Sequence, residues 1–389
     1  MSVTLEHLLK AVEGEEIRLV AGEGGMSNVV SWVHVVENTQ ISEFLEGQEI
    51  AFTTGVGLES DEDLLEIVRY NHRMNASAMI INVGPFIKEI PPSVINYGNS
   101  HDFPIFEVPW HVHMSKIMRA FSAILIDSEK EQIMLTSAVK NSISDPSRED
   151  TYIPTFELFH FLRGWSYCLC VVEVMDGLGK LVHSSILNRL NMLIERNVVH
   201  DYSNSAVMLI DNRIVIMLAD YSEEKAEKIF DTVHKKVVKS IPANCVSYWG
   251  VGENTKSVRC IYKSYNKAVN SISLQQKQGK QNEITFYSEM GFYKILMSVE
   301  DDNTLKSYYE EVLGPLLEYD RINSTNLTNE LKVFFECDCS VQVTAEILYM
   351  HRNSIRYKIN KIEEILGISL ECQEEKSKLM LAFCIENII

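Results

Sequence analysis

Positive charge is scarce in this sequence. Its 389 residues carry 36 lysines and arginines against 54 aspartates and glutamates, a formal net charge of −18. That excludes a protein that coats nucleic acid over its whole surface, while leaving room for one local basic patch. Long apolar runs are missing too. The longest, such as Ala206–Ile210 and Ile214–Ala219, are far too short to span a membrane. Met1 to Lys10 has no basic stretch followed by a long apolar run, so no signal peptide is expected. The expectation is a cytoplasmic protein with no membrane partner. The eight cysteines contain no C-x-x-C pair, which argues for reduced packing residues rather than a zinc site. His111-x-His113 has no third ligand in view. No Gly-x-Ser-x-Gly, Walker loop or His-Glu-x-x-His string is present, and Gly22-Glu-Gly-Gly25 fits a β-turn better than a phosphate cradle. No enzyme activity, cofactor or bound metal is expected.

What is present is ordinary globular composition, 46% hydrophobic and 23% charged, at a length that suggests two or three domains. Residues 1–114 alternate between the two periodicities. Leu5, Leu8, Leu9 and Val12 are at helical spacing. Ile17–Val20, Val29–Val36, Glu49–Thr53, Ala78–Val83 and Pro104–Val108 read as strands, with Asp61–Met74 and Ser93–Ser100 as helices. Alternation of this kind predicts an α/β domain. Residues 115–141 lack glycine and proline and predict one long helix, either closing that domain or serving dimerisation or signalling. Ser142–Pro154 is polar, with two prolines, and reads as a linker.

Residues 155–290 read as a second α/β domain: strands at Tyr167–Val174, Ala206–Ile210, Ile214–Ala219 and Cys245–Val251, helices at Ser185–Val199, Glu223–Lys239 and Ser257–Leu274. The order resembles the palm-like fold of diguanylate cyclases. A cyclase needs a Gly-Gly-Asp/Glu-Glu-Phe hairpin to hold phosphate and metal. Here the hairpin tip is Asp211-Asn212-Arg213, so a structural or dimerising unit is expected. Residues 291–389 read as all helix: Leu305–Leu317, Leu327–Phe335, Val341–Leu348, Asn353–Leu366 and Ser377–Ile388, punctuated at Gly314-Pro315, Asp338–Ser340, Met350-His351 and Gly367.

The strongest functional pattern lies at 341–366. Val341–Leu348 is a short helix with the small Ala345 placed for close packing, and Tyr349-Met350-His351 has the length of a helix-turn-helix turn. Asn353 or Ser354 is positioned to cap the next helix. There Ile355, Ile359, Ile362 and Leu366 form one apolar face, leaving Arg352, Arg356, Tyr357, Asn360 and Lys361 outside it. From His351 to Lys361 four basic residues and no acid make a local charge of +4. Arg and Asn in the first turn of such a helix can pair with base edges, while flanking cations neutralise phosphates. The alternative is a solvated basic face. On this pattern Arg352, Asn353, Ser354, Arg356 and Tyr357 are candidates for bases or adjacent backbone, and Lys358 and Lys361 for phosphate.

Thr344-Ala345 and His351-Arg-Asn-Ser-Ile-Arg-Tyr-Lys-Ile359 resemble the C-terminal helix-turn-helix of the PucR (purine-catabolism regulator), CdaR-like family, with Ser354 and Lys358 standing where that family has Thr and Arg. Leu313-Gly-Pro-Leu316, Tyr319-Asp320, Leu327, Leu331, Phe334 and Leu379–Ala382 are similar as well. Residues 3–126 resemble the family's sensor domain through Val20-Ala-Gly22, His34-Val-Val-Glu37, Phe52-Thr-Thr-Gly55, Ile90-Pro91 and Phe106-Glu-Val-Pro109. Ser264-Tyr265 and Ala268 resemble its degenerate cyclase-like module. The resemblance implies a ligand-responsive transcription regulator, often of catabolic genes for purines or other nitrogen compounds. It also implies four segments: an α/β sensor at 1–126, a helix and linker at 127–154, a degenerate GGDEF-like α+β domain at 155–290, and an all-α helix-turn-helix domain at 291–389. The expected partners are double-stranded DNA, a small-molecule effector and a second copy of the chain, with RNA polymerase a further candidate.

Gly22, Glu37, Thr53, Thr54, Gly55, Asn82 and Gly84 are the effector candidates, because ligands in α/β domains gather at strand ends. The plainer reading is that Thr53-Thr54-Gly55 is a turn and that Glu37 caps a helix beginning near Gln40. A small-molecule-binding or catalytic N-terminal domain with a regulatory helical tail is the alternative function.

Overall fold

The computed structural model describes every residue except Met1, Ser2, His200 and Glu300. The expected start of the first domain therefore lies outside the described residues. The chain forms a multidomain α/β protein with a helical C-terminal region, and it divides into two compact units. One comprises Met1–Ser166, Ser184–Asp220 and Lys256–Cys260, the other Tyr167–His183, Tyr221–Thr255 and Ile261–Ile389. The 155–290 segment contributes to both.

In the first unit a five-stranded sheet has the spatial order Arg18–Ala21, Ile105–Pro109, Ala78–Val83, Glu49–Thr53, Trp32–Val35. The last four strands are parallel, and Arg18–Ala21 joins the edge antiparallel. Successive side chains of a strand point to opposite faces, and both faces of this sheet are covered. Ile50, Phe52, Ile80 and Phe106 pack with Leu5, Leu8, Ile117, Phe121 and Leu125 on one side. Ala51, Met79, Ile81 and Ile105 pack with Leu64, Ile67 and Val68 on the other. The helix Asp61–Arg73 that supplies the latter starts on a Ser60/Asp63 capping box, with acids in its first turn to complement the helix dipole. The expected Val29–Val36 strand is split at Ser31 into Val29–Val30, which pairs with Val3–Thr4, and Trp32–Val35, which joins the sheet.

The long helix runs Met114–Ser144, beyond its expected end. The expected linker is largely structured: a 3-10 turn at Glu149–Thr151 is followed by a helix at Ile153–Leu158, with Pro154 in its first turn, where proline is tolerated. Tyr152 Oη donates to Pro146 O at 2.9 Å, and Arg259 clamps Glu149 at 2.6 and 2.8 Å. These anchors are distant side chains, invisible to local composition. Strands Ser205–Ile210 and Arg213–Ala219 form the expected hairpin, closed by Asp211 and Asn212, whose φ of 48° and 62° are the positive values a type I′ turn needs.

In the second unit Tyr167–Asp176 pairs antiparallel with Cys245–Val251, which pairs parallel with Ile284–Phe286, a strand not anticipated from sequence. Helix Ile261–Gln278 lies tightly on these strands. A Cβ at Gly250 would sit 2.0 Å from Ala268 O, so glycine is required there. Ser264, from the cyclase-like pattern, is fully buried and accepts from Leu169 N at 3.0 Å. The C-terminal helices are Asp302–Asn323, Leu327–Glu336, Val341–Ile347, Arg352–Leu366 and Gln373–Glu386. The first passes through Gly314-Pro315, where a break was expected; Leu313 and Leu316, both fully buried, hold it in the bundle core on either side. All eight cysteines are free, and Cys168, Cys170, Cys245 and Cys337 are buried. Among the described residues no helix is long and apolar enough to cross a membrane.

Candidate nucleic-acid interface

The C-terminal site is assembled by caps. Asp320, near the end of the long helix, accepts from the backbone amides of Leu327 and Thr328 at 2.8 Å each and from the hydroxyls of Thr325 and Thr328 at 2.6 and 2.8 Å. Burial alone would raise its pKa; those donors outweigh burial and hold the carboxyl below its ordinary 3.8. This carboxylate therefore starts the helix Leu327–Glu336. Ser340 caps Val341–Ile347 by accepting from Val343 N at 3.4 Å, and Thr344 and Ala345 are buried against the neighbouring helices, as the small residue at 345 suggested.

The turn that follows reverses through Tyr349, at φ 52°, and is closed by Met350 N donating to Ala345 O at 2.8 Å. This is a helix stop of the Schellman type, with tyrosine where glycine or asparagine is usual. The next helix begins one residue earlier than expected, at Arg352. Its cap is neither Asn353 nor Ser354: His351 has extended backbone and its Nδ1 accepts from Asn353 N at 3.2 Å. The imidazole takes the place of the usual short oxygen side chain, leaving the Asn353 and Ser354 side chains exposed. Gly367, at φ 66°, ends the helix.

The apolar face is as anticipated in direction and graded in depth. Ile355 and Ile362 are buried, while Ile359 and Leu366 are half-buried against the core of Leu316, Leu331, Phe334 and Phe383. Arg352, Asn353, Ser354, Arg356, Tyr357 and Asn360 are all exposed. Among the described residues neither Arg352 nor Arg356 has an ion-pair partner. The two lysines are engaged. Lys358 turns back to pair with Glu330, its side chain 27% exposed and that of Glu330 10%. Lys361 pairs with Glu364 at 2.9 Å, which raises its pKa, and lies over the Tyr319 ring at 5.8 Å. Sequence reasoning did not single out Tyr349, which is 97% exposed beside the first turn of this helix. Its signal was available: a large aromatic in a turn, where nothing in the apolar pattern asks for one.

At the other end of the chain, the parallel register gathers most of the effector candidates at the carboxyl edge of the first sheet. Thr53 pairs with Ile81 and Asn82 with Val108, so the 36–37, 54–55, 84 and 110 loops emerge side by side. Glu37 accepts from Thr53 Oγ1 (2.9 Å), Thr54 N (3.1 Å), Thr54 Oγ1 (2.8 Å) and Gly55 N (3.2 Å). It does not cap the following helix; Asn38 does, accepting from Ile41 N at 2.9 Å. Asn82 donates to Val108 O and Pro109 O at 3.1 and 3.2 Å. A Cβ at Gly84 would meet that of Trp110 at 2.5 Å, so this glycine admits the indole. Gly22 is not with them. Ala21 pairs with Ile105, the first residue of its strand, which puts Gly22 at the opposite edge of the sheet. It enters a 3-10 turn, Glu23–Gly25, at φ 76°, and its amide N donates to Asn99 Oδ1 at 2.9 Å. His111, from the histidine pair, meets Glu16 at 3.1 Å.

Two family matches bracket the chain. Residues 7–125 match the Purine catabolism regulatory protein-like family (PucR), and residues 327–385 match the PucR C-terminal helix-turn-helix domain. The chain carries the PucR N-terminal domain and the PucR C-terminal helix-turn-helix domain. Among the curated relatives from Bacillus subtilis (strain 168), the proline-responsive transcriptional activator PutR is 26% identical over 222 residues, 55% of this chain and 52% of PutR. The purine catabolism regulatory protein is 37% identical over 94 residues, 24% of this chain and 17% of that protein. The DNA-binding transcriptional activator AdeR is 25% identical over 126 residues, 32% of this chain and 30% of AdeR. The chain thus spans about half the length of PutR and less of the other two. The PucR match at the C-terminus begins at Leu327, the residue whose amide Asp320 caps, and contains every candidate DNA-contacting residue.

Proposed function

We propose that this protein is a sequence-specific, ligand-responsive transcription regulator that reads double-stranded DNA through the helix Arg352–Leu366. The observation that carries the proposal is the unpaired, exposed Arg352 and Arg356, on a helix anchored by Ile355 and Ile362, inside a stretch matching the PucR helix-turn-helix. A basic stretch with free guanidinium groups, in a chain of net charge −18, can engage the groove there. Arg352, Asn353, Ser354, Arg356 and Tyr357 are the proposed base and backbone contacts. Lys358 and Lys361 add positive potential toward phosphate while bound to Glu330 and Glu364.

The effector is assigned to the carboxyl edge of the first sheet, around Glu37, Thr53, Thr54, Gly55, Asn82 and Gly84. Gly22 enters the proposal only as a structural glycine. The relatives' names point to nitrogen compounds as effector and target class. Catalysis at this edge is not part of the proposal, since four donors already occupy the Glu37 carboxylate. The 155–290 segment is treated as a degenerate cyclase-like structural module. A homodimer is favoured by Ile126 and Ile133, two heptad-spaced residues of the long helix that are 39% and 61% exposed. With DNA as partner, the cytoplasm is the proposed compartment.

The test is an operator selected from random duplexes, followed by anisotropy titrations. Arg356→Ala is expected to weaken specific binding by roughly 1–3 kcal/mol, as for a lost bidentate base contact. Wild-type affinity should fall steeply with salt. Unchanged affinity in both Arg352→Ala and Arg356→Ala would reject the assignment.

A further inference from the structure

Every exposed side chain of the helix Arg352–Leu366 is polar or charged except one. Tyr357 is that exception, 71% exposed. At about 100° per residue it lies roughly 200° round the helix from Ile355, so it points away from the face that Ile355 and Ile362 bury. Its neighbours one turn away, Asn353 and Asn360, are exposed, and so is Arg356 before it. Among the described residues no hydrogen bond engages its hydroxyl. The fold therefore makes no use of this side chain, and it lies among the groups assigned to the groove. A large ring left in water there gains stability by meeting an apolar group on the DNA. The major groove offers one. Of the groups that base edges present, only the thymine C5-methyl is apolar; the others are hydrogen-bond donors and acceptors.

We propose that Tyr357 is a specificity-determining residue that reads thymine: its ring packs against a C5-methyl group in the major groove, beside the base pair that Arg356 engages. The proposal rests on the groove assignment above and adds which feature of a base pair the aromatic ring recognises. Arginine and asparagine distinguish base pairs by their donors and acceptors and do not sense the methyl group. The ring does, so each half-site should carry a thymine at one fixed position. The hydroxyl group is not required for this contact, because the recognising surface is the ring itself.

The test uses the full chain and the operator selected from random duplexes, with each thymine replaced in turn by uracil, which removes the methyl group and leaves every donor and acceptor in place. At one position per half-site the replacement is expected to weaken wild-type binding by about four-fold, the worth of burying one methyl-sized group. Tyr357→Ala should bind the thymine and uracil operators alike at that position. Tyr357→Phe, which keeps the ring and loses the hydroxyl, should retain the four-fold preference. If Tyr357→Ala fails to fold, the wild type and Tyr357→Phe decide. No position sensitive to loss of the methyl, a preference that survives Tyr357→Ala, or a preference lost in Tyr357→Phe overturns the proposal. The Arg352→Ala and Arg356→Ala titrations separate the two readings. If they weaken binding while no uracil does, the helix reads the groove and Tyr357 does not read thymine; if they have no effect, the groove assignment falls and this proposal with it.

Discussion

The Lys358–Glu330 pair offers a sharp test because its two ends are unequal. Both belong to the helical bundle, 28 residues apart, on the helices Arg352–Leu366 and Leu327–Glu336. Glu330 is short and its side chain only 10% exposed, and its Oε2 is buried with no partner. Lys358 is long and 27% exposed, so its ammonium can swing to solvent if abandoned. Lys358→Met strands a buried carboxylate and is expected to cost about 3–5 kcal/mol. Glu330→Gln leaves an ammonium that can rehydrate, and should cost about 1–2 kcal/mol, the scale of a lost hydrogen bond to a charged group. Glu330→Leu with Lys358→Met, apolar at both ends, should come within about 1 kcal/mol of wild type. Since a chain of several domains does not unfold in one step, the assay is native-state hydrogen exchange of the amides in these two helices, which reads local opening. Equal losses for the two single variants, or losses below about 0.5 kcal/mol for both, would refute the argument. The same Glu330→Gln protein tests the role of Lys358 at DNA: freeing the ammonium should make the salt dependence of binding steeper.

Three further outcomes follow from the backbone and the caps. Tyr349→Asn should stabilise the bundle by about 1 kcal/mol, because a bulky residue at φ 52° pays a left-handed penalty that asparagine largely avoids. If the exposed tyrosine also touches DNA, the same variant binds operator more weakly despite its stability. Asp320→Ala should cost about 0.5–2 kcal/mol by uncapping Leu327–Glu336. The Asp320 pKa is lowered on folding, so its contribution is present above the unfolded value near 3.8 and lost as pH falls through the folded value. The gap between wild type and Asp320→Ala, followed by hydrogen exchange, should close below about pH 4; a gap that widens there would be inconsistent. Gly22→Ala should destabilise the first unit severely, since its Cβ would fall 2.0 Å from Phe103 O at φ 76°. A melting temperature unchanged in that variant would show that the turn relaxes.

Much of this protein was legible from local pattern. The short apolar strands Glu49–Thr53 and Ala78–Val83, the helix from Asp61, the Asp211-Asn212 turn and the Ile355/Ile362 face all follow from side chains a few residues apart. That is the range over which backbone propensity and periodicity act. Errors arose where a distant partner decided the outcome. The proline-bearing stretch after Ser144 looked like linker and is pinned by Arg259, 110 residues away. The helix through Pro315 survives because Leu313 and Leu316 are buried in the bundle.

The same division holds for function. The sequence alone determined that a basic helix-turn-helix stretch exists in an acidic chain, and which face of its second helix is apolar, because charge count and helical period are properties of neighbours. Only the tertiary structure decided which cations are free. Arg352 and Arg356 face solvent unpaired, Lys358 is drawn to a glutamate on another helix, His351 displaces the expected cap, and Glu37 binds the Thr53–Gly55 loop while Asn38 caps the helix expected of it. Whether a charged group is available depends on what the fold brings within a few ångströms of it, and that distance is not written in the order of the residues.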